Sequence, residues 1–156
     1  MALLWFPSLG AAEPTACPAT QRTLFACVTG GKLVAVCGSA TLTATSGSVQ
    51  YRFGRPDKVE LSYPASGAEW RPVTRGGSLL LSGGGGAFVS FARVPYRYIV
   101  YTASGSGWGQ KAGVVVEKNG QRLANLACHG TVTSELGPDL FSSAGIELAD
   151  ESFDLR

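Results

Sequence analysis

Short apolar segments, separated by glycine, proline and asparagine, follow one another through most of the chain. They are rich in valine, leucine, tyrosine and phenylalanine, a composition typical of β-strands. Nine strands are predicted, at residues 22–28, 32–38, 48–54, 57–63, 78–81, 87–94, 96–103, 112–118 and 121–128. Tight turns between them leave little room for the helices of a parallel sheet. We therefore predict an all-β fold, a single antiparallel β-barrel or sandwich of about eight to nine short strands.

Turn residues indicate which strands form hairpins. Gly30-Gly31 predicts one hairpin, and Asn119-Gly120 predicts a type I′ turn because both residues tolerate positive φ. If residues 55–57 form a three-residue loop, the register places Arg52 opposite Glu60.

Three predicted strands contain runs that are apolar on both faces, namely VSF at 89–91, YIVY at 98–101 and GVVV at 113–116. Such runs are typical of strands buried on both sides. A helix fits only within 134–145, where Pro138 argues against a long one.

Composition and charge narrow the class of protein. The chain has 156 residues, 45% hydrophobic and 15% charged, which fits one folded domain. A net charge of +2, without lysine and arginine interleaved with aromatics, predicts no nucleic-acid binding. Residues 1–131 carry 12 basic against five acidic side chains, whereas residues 132–156 carry one against six. This acidic tail is either a frayed, solvated end or a segment attracted to the basic body or to a partner.

The first residues have the pattern of a leader. Residues 1–12 are apolar and place Gly10 and Ala12 where a signal peptidase requires small side chains, although no basic residue precedes them. We expect a signal-peptide remnant at 1–12, the alternative being an apolar N-terminal strand. A linker at 13–21, a β-domain at 22–131 and an acidic C-terminal tail at 132–156 then follow. No later segment reaches the ~18 apolar residues of a membrane span.

Four cysteines allow two disulfides, which would place the protein in an oxidising compartment; small buried thiols are the alternative. All three pairings are possible. We favour Cys27–Cys128, which would join the first and last strands, and then Cys17–Cys37. A two-residue Gly30-Gly31 turn supports separate partners, because it places Cys27 and Cys37 on opposite faces.

Candidate chemistry is sparse. The single histidine, His129, has no evident partner, and no Cys-x-x-Cys motif is present, so neither a metal site nor a cofactor is expected. Gly105-Ser106-Gly107 lies in a flexible loop rather than in a nucleophile elbow. The glycines at 83–86 lack the Gly-Lys-Ser/Thr ending of a phosphate loop and predict a turn. We therefore expect that the protein is not an enzyme.

Two loops carry candidate binding residues. Trp108 lies in the sequence SGSGWGQK at 104–111, and Trp70 lies in the longer loop 64–77. A tryptophan flanked by glycines can protrude as an interface anchor, or it can fold back and close an end of the barrel. The predicted partner-binding residues are Ser104, Ser106, Trp108, Gln110, Lys111, Trp70 and Arg71.

The segments FACVTGGKLVAVCG, SVQYRFGRPDKVELSYP and GVVVEKNGQRLANLAC resemble a set of small uncharacterised proteobacterial secreted β-proteins. The resemblance covers about residues 23–128. It implies a Cys-bearing first hairpin, a second hairpin with the pattern YRFG…EL-YP and a last hairpin that ends in cysteine, but no particular activity.

A second pattern is similar to the periplasmic and lipoprotein inhibitors of c-type lysozyme, which are small β-barrels with a Ser-Gly…Trp-x-Lys-Gly loop. Ser104, Gly105, Trp108, Lys111 and Gly113 echo that loop, although its tyrosine is absent and its spacing differs. The resemblance implies inhibition by occlusion. A serine hydroxyl and the lysine ammonium would meet the two catalytic carboxylates of the lysozyme, and the tryptophan would pack the loop.

The sequence thus predicts a periplasmic or secreted binding protein, an inhibitor or immunity protein that sterically blocks a cell-wall hydrolase or a periplasmic toxin. The alternative is a β-barrel that binds a small apolar or carbohydrate ligand against Trp70, Tyr96, Tyr98 or Tyr101. A hollow interior would favour the ligand, and a filled interior would favour the inhibitor.

Overall fold

A computed structural model of the protein describes residues 14–150 together with Phe153 and Leu155. The predicted leader at 1–12 lies outside the described residues. Within them the chain forms ten strands, a 3₁₀ turn at Arg71–Val73 and a short helix. The bounds are β1 Gln21–Thr29, β2 Lys32–Ser39, β3 Val49–Arg55, β4 Lys58–Tyr63, β5 Thr74–Leu81, β6 Gly84–Arg93, β7 Tyr96–Gly105, β8 Gly109–Lys118, β9 Gln121–Ala127, β10 His129–Ser134 and α1 Pro138–Ala144.

The strands form two antiparallel sheets of five. Sheet I has the order β10-β1-β2-β3-β4, and sheet II has the order β5-β6-β7-β8-β9. The prediction of an all-β, antiparallel fold is confirmed. The strands lie in two separate sheets, as in a sandwich, and β10 is a tenth strand that the sequence pattern did not reveal. The last three of the glycines at 83–86, predicted as a turn, lie in β6 rather than in the turn before it.

The main core lies between the sheets and is filled by aromatic and aliphatic side chains from both. Tyr51 of β3 stacks against two rings of sheet II, with centroid distances of 5.7 Å to Phe91 and 5.1 Å to Tyr98. Burial of such rings supplies most of the stabilisation, and the offset stacking adds to it. The facing surfaces of the two sheets are thus packed directly against each other.

Sheet II also has an apolar outer face. Side chains there that are almost fully buried include Leu79, Phe88, Ile99, Tyr101 and Val115. Residues near the end of the chain, Ala149, Phe153 and Leu155, pack against them. The expectation that central strands are apolar on both faces therefore holds for sheet II.

A corner of the chain connects the two sheets. β9 ends in sheet II at Ala127, β10 begins in sheet I at His129, and Cys128 lies between them. Cys128 donates its backbone N–H to the Ala112 carbonyl at 2.8 Å and forms a disulfide with Cys27 of β1. The second disulfide joins Cys17 to Cys37, so both favoured pairings are confirmed.

The predicted linker packs against the β-domain. Thr15 is buried and its hydroxyl donates to the Arg55 carbonyl, while the Arg52 guanidinium donates to the Pro14 carbonyl. With Cys17 tied to β2, residues 14–20 lie against β2 and β3 rather than apart from them.

Much of the predicted acidic tail is also part of the domain. It contains the second half of β10 and the whole of α1, whose Leu140, Phe141 and Ala144 are buried. The Phe141 ring covers Gly76 of β5, where a Cβ atom would lie 2.9 Å from the ring. The helix falls within the predicted window 134–145 and begins at Pro138, where a proline is tolerated.

The predicted register of the β3–β4 hairpin is wrong. Its turn is Pro56-Asp57, and a bulge at Gly54 shifts the pairing. A Cβ atom at Gly54 would lie 2.5 Å from the Glu60 nitrogen, so only glycine permits this approach. Arg52 pairs with Ser62 and is buried, and Glu60 forms an ion pair with Lys32.

The two disulfides should differ in their effect on stability. Cys27–Cys128 spans 101 residues and Cys17–Cys37 spans 20. In the chain-entropy account, the longer loop restricts the unfolded chain more. We expect Cys27→Ala/Cys128→Ala to lower the free energy of unfolding by about 1 to 1.5 kcal/mol more than Cys17→Ala/Cys37→Ala, the matched control. Urea unfolding of both variants checks this, and equal losses would contradict it.

Stability should fall at alkaline pH. Burial, and then the nearby Tyr98, raises the pKa of Tyr51 above its ordinary value of 10.0. The folded protein therefore keeps a proton that the unfolded chain loses near pH 10, so this contribution is complete below pH 10 and lost above it. Tyr51→Phe should flatten the decline in urea midpoint between pH 9 and 11. An unchanged slope would contradict this assignment.

Candidate functional site

The tips of two neighbouring hairpins in sheet II form a rigid platform. The β7–β8 hairpin closes at the Gly105–Gly109 pair, and the β5–β6 hairpin turns at Ser82-Gly83. The Ser106 N–H donates to the Gly83 carbonyl at 2.9 Å. The Trp108 indole N–H donates to the Ser82 carbonyl at 3.1 Å. These two bonds hold the tips against each other.

Trp108 folds back onto its own hairpin. A Cβ atom at Gly105 would lie 2.3 Å from Cζ2 of the indole, so the missing side chain of Gly105 makes room for the ring. Lys111 lies on the same face, with its ammonium 5.2 Å from the ring centroid, within cation–π distance. The indole is half-buried and Lys111 is exposed, so both still present surface to a partner.

An open groove of about 1000 Å³ runs beside this platform. Its walls include Leu81, Ser106, Trp108 and Lys111, together with Phe153 and Leu155 from the end of the chain. Leu80, at the end of β5, also borders the groove and is 94% exposed. Such a groove can bind an apolar group of a ligand or partner whose negatively charged group lies near the Lys111 ammonium.

The predicted residues of the loop 104–111 divide between two faces. Ser106, Trp108 and Lys111 line the groove, whereas Ser104 and Gln110 pair across β7 and β8 and line a smaller pocket of about 300 Å³ beside Pro138. Side chains alternate between the faces of a strand, and Ala103 pairs with Lys111 on the groove side. The structure therefore brings together three of these five residues.

Trp70 and Arg71 lie away from the groove. Trp70 is 5% exposed, packs in the main core and donates its indole N–H to the Gly47 carbonyl at 2.9 Å. The Arg71 guanidinium stacks 4.3 Å from the Trp70 centroid and donates to the carbonyls of Thr43 and Ala144. These contacts tie the loop before β3 to α1.

The tyrosines considered for an internal ligand do not line one cavity. Tyr98 lies in the core stack, whereas Tyr101 lies on the outer face of sheet II and donates to the Asn125 side chain at 2.8 Å. Burial raises the pKa of the Tyr101 hydroxyl, and the Asn125 bond and the Arg122 charge partly oppose that rise.

No family model, curated protein or solved structure matches this chain. Within residues 14–150, Phe153 and Leu155, no cluster of histidine, cysteine and acidic side chains could hold a metal ion. Over the same residues, no helix has the length and apolarity needed to cross a membrane. His129 is exposed at the start of β10, opposite Val28.

The sequence pattern does not identify several residues of the groove. Leu80 and Leu81 belong to the run SLLL, whose apolar pattern predicts only an ordinary strand. Phe153 and Leu155 alternate with polar residues in the acidic tail, and this period of two is a strand-like signal that the charges concealed. Their place against sheet II depends on tertiary packing.

The position of Trp108 can be tested through Gly105. We expect Gly105→Ala to push the indole off the hairpin, because the new methyl group would overlap the ring. The indole N–H resonance should then shift and exchange faster with solvent. Gly30→Ala is the control, since a Cβ atom there meets nothing within 4 Å. An unchanged Trp108 resonance in Gly105→Ala would contradict this packing.

Proposed function

We propose that this chain is a binding protein of the bacterial cell envelope that inhibits a cell-wall hydrolase, or another periplasmic toxin, by steric blockage. The proposal rests on one observation, the half-buried Trp108 held beside exposed Lys111 and Leu80 at the two fixed hairpin tips. Aromatic anchors held in place before binding lose little entropy on association and often dominate an interface.

The proposed compartment is supported by the two disulfides. Structural disulfides persist in the periplasm and outside the cell, where thiols are not kept reduced. A secreted or periplasmic site of action would bring the protein into contact with wall-degrading enzymes.

The resemblance to lysozyme inhibitors fits the groove only if Ser106, rather than Ser104, is the serine that meets the hydrolase. Ser104 of the echoed motif lies on the face opposite Lys111, whereas Ser106 shares the groove with Lys111 and Trp108. In our proposal the Ser106 hydroxyl and the Lys111 ammonium face the two catalytic carboxylates of the hydrolase, and Trp108 supports the loop from beneath. A carboxylate pair is a suitable target for an ammonium because charge-assisted hydrogen bonds are the strong ones.

A second candidate is a small apolar or carbohydrate ligand bound in the same groove. The volume of about 1000 Å³ is large enough for such a molecule, and the Trp108 ring offers a surface on which a sugar could stack. The groove is open to solvent, which suits contact with a protein surface better than a small molecule that must be enclosed.

Binding to purified hydrolases tests the proposal. We expect the oxidised protein to bind and inhibit c-type lysozyme or another peptidoglycan hydrolase of a defined panel. Trp108→Ala/Lys111→Ala should weaken that binding at least tenfold, which corresponds to about 1.4 kcal/mol. Ser104→Ala/Gln110→Ala, on the opposite face, is the matched control and should change it less than twofold.

Two results would count against the inhibitor. Failure of the wild-type protein to inhibit any hydrolase in the panel would reject this partner class. Equal loss of binding in both double variants would show that the groove is not the interface. Binding of a chitooligosaccharide or a fatty acid that is lost only in Trp108→Ala/Lys111→Ala would support the second candidate.

A further inference from the structure

The outer face of sheet II is covered by part of its own chain. We call this segment the strap; its described residues are Glu147, Leu148, Ala149, Asp150, Phe153 and Leu155. The face beneath contains Leu79, Phe88, Tyr101 and Val115, all less than 5% exposed. An apolar patch of this kind is rarely left open on a soluble protein. Some cover is therefore required.

The strap begins as an added strand at the edge of sheet II. The Gly76 N–H donates to the Glu147 carbonyl at 2.9 Å, and the Ala149 N–H donates to the Gly76 carbonyl at 2.8 Å. The pairing is parallel to β5. This is the geometry by which an extended peptide adds to an exposed sheet edge, with backbone bonds giving affinity and side-chain pockets giving specificity.

The strap then crosses the apolar face. The Phe153 ring packs against two rings of the sheet, with centroid distances of 5.7 Å to Phe88 and 6.2 Å to Tyr101. The Arg122 guanidinium lies 5.9 Å from the Phe153 centroid. Leu155 lines the groove beside Trp108. Two apolar side chains at alternate positions thus occupy the surface.

Positive charge flanks this apolar surface at both ends. Glu147 forms an ion pair with Arg75 at 3.5 Å. Beside Ala149 and Asp150, a pocket of about 350 Å³ is lined by Arg75, by Ser90 and by Arg97, which also forms an ion pair with Glu117 at 3.4 Å. At the far end, Lys111 borders the groove that Leu155 also lines. The surface matches the strap in charge as well as in apolar pattern.

The first residues of the strap are lightly held. Leu148 is 63% exposed and points away from the core, and the side chain of Glu147 is 72% exposed. An exposed ion pair of this kind contributes little to stability, and the pairing at Gly76 supplies two backbone hydrogen bonds. The face needs a cover, but another segment with the same pattern could replace this one.

We propose that the outer face of sheet II is a binding surface for an extended acidic peptide with apolar side chains at alternate positions, and that the strap is its intramolecular occupant. A partner protein with such a segment adds to β5, displaces the strap and fills the sites of Phe153 and Leu155. Because the strap competes for the same surface, the apparent affinity of the partner equals its intrinsic affinity multiplied by the fraction of molecules whose surface is free. At the Leu155 end this surface overlaps the groove proposed for the hydrolase, but peptide binding is measured without a hydrolase and succeeds or fails separately from inhibition.

The test uses the full chain and a fluorescent peptide with the sequence of residues 146–156, IELADESFDLR. Glu147→Lys/Asp150→Lys places positive charge in the strap beside Arg75 and Arg97, and the repulsion should release the strap from the surface. Both substituted residues are exposed, so the core should be unaffected. We expect this variant to bind the peptide at least fivefold more tightly than wild type. Phe153→Ala/Leu155→Ala should bind it at least tenfold more tightly, since both anchors are removed.

Control variants and a control peptide distinguish binding at the outer face of sheet II from attraction by net charge. Asp57→Lys/Glu69→Lys makes the same change of charge at exposed residues elsewhere and should leave peptide binding as in wild type. A peptide with Phe153 and Leu155 replaced by serine should bind none of the variants. Arg75→Glu, added to the Glu147→Lys/Asp150→Lys variant, should weaken binding of the native peptide.

Three results would overturn the proposal. The first is that Glu147→Lys/Asp150→Lys binds the peptide no better than wild type does. The second is that Asp57→Lys/Glu69→Lys binds it equally well, which would indicate attraction by net charge alone. The third is that the Phe153→Ala/Leu155→Ala variant dimerises without binding the peptide, which would assign the surface to a second copy of the chain.

Discussion

Sheet II is apolar on both faces, and this constraint organises the molecule. One face packs against sheet I through the Tyr51, Phe91 and Tyr98 stack, and the other packs against the strap. Two sheets alone would leave Phe88 and Tyr101 in water. The fold therefore has a third, thin layer, and the groove with Trp108 lies where that layer meets the hairpin tips. Fold and candidate sites arise from the same excess of apolar surface.

Local signals in the sequence predicted most of the hairpins and both disulfides. Asn119 and Gly120 have positive φ, as the type I′ turn requires, and the Gly30-Gly31 turn places Cys27 and Cys37 on different faces. These features depend on a few adjacent residues and on the period of two along a strand, so they are visible without the tertiary structure.

Features that depend on distant contacts could not be predicted in this way. The bulge at Gly54 moved the β3–β4 register, and β10 is largely exposed, so its sequence shows little apolar alternation. Trp70 occurs in a loop, where no periodicity indicates burial. At the candidate site, proximity in sequence grouped Ser104 with Lys111, but alternation across the strand places them on opposite faces.

The corner at Cys128 connects one edge of sheet II directly to one edge of sheet I. A nearly continuous strand passes from sheet II to sheet I there, and the bond to Cys27 fixes it. On the opposite side, β4 and β5 are joined by a loop, with the Tyr63 hydroxyl bonded to the Ala92 carbonyl. The Cys27–Cys128 bond thus joins the β9–β10 edges of the two sheets covalently, whereas the β4 and β5 edges are held by a connecting loop and noncovalent contacts. We expect a local separation of the two sheets to begin at the edge formed by β4 and β5, where the strap is attached, while the edge at Cys128 stays closed.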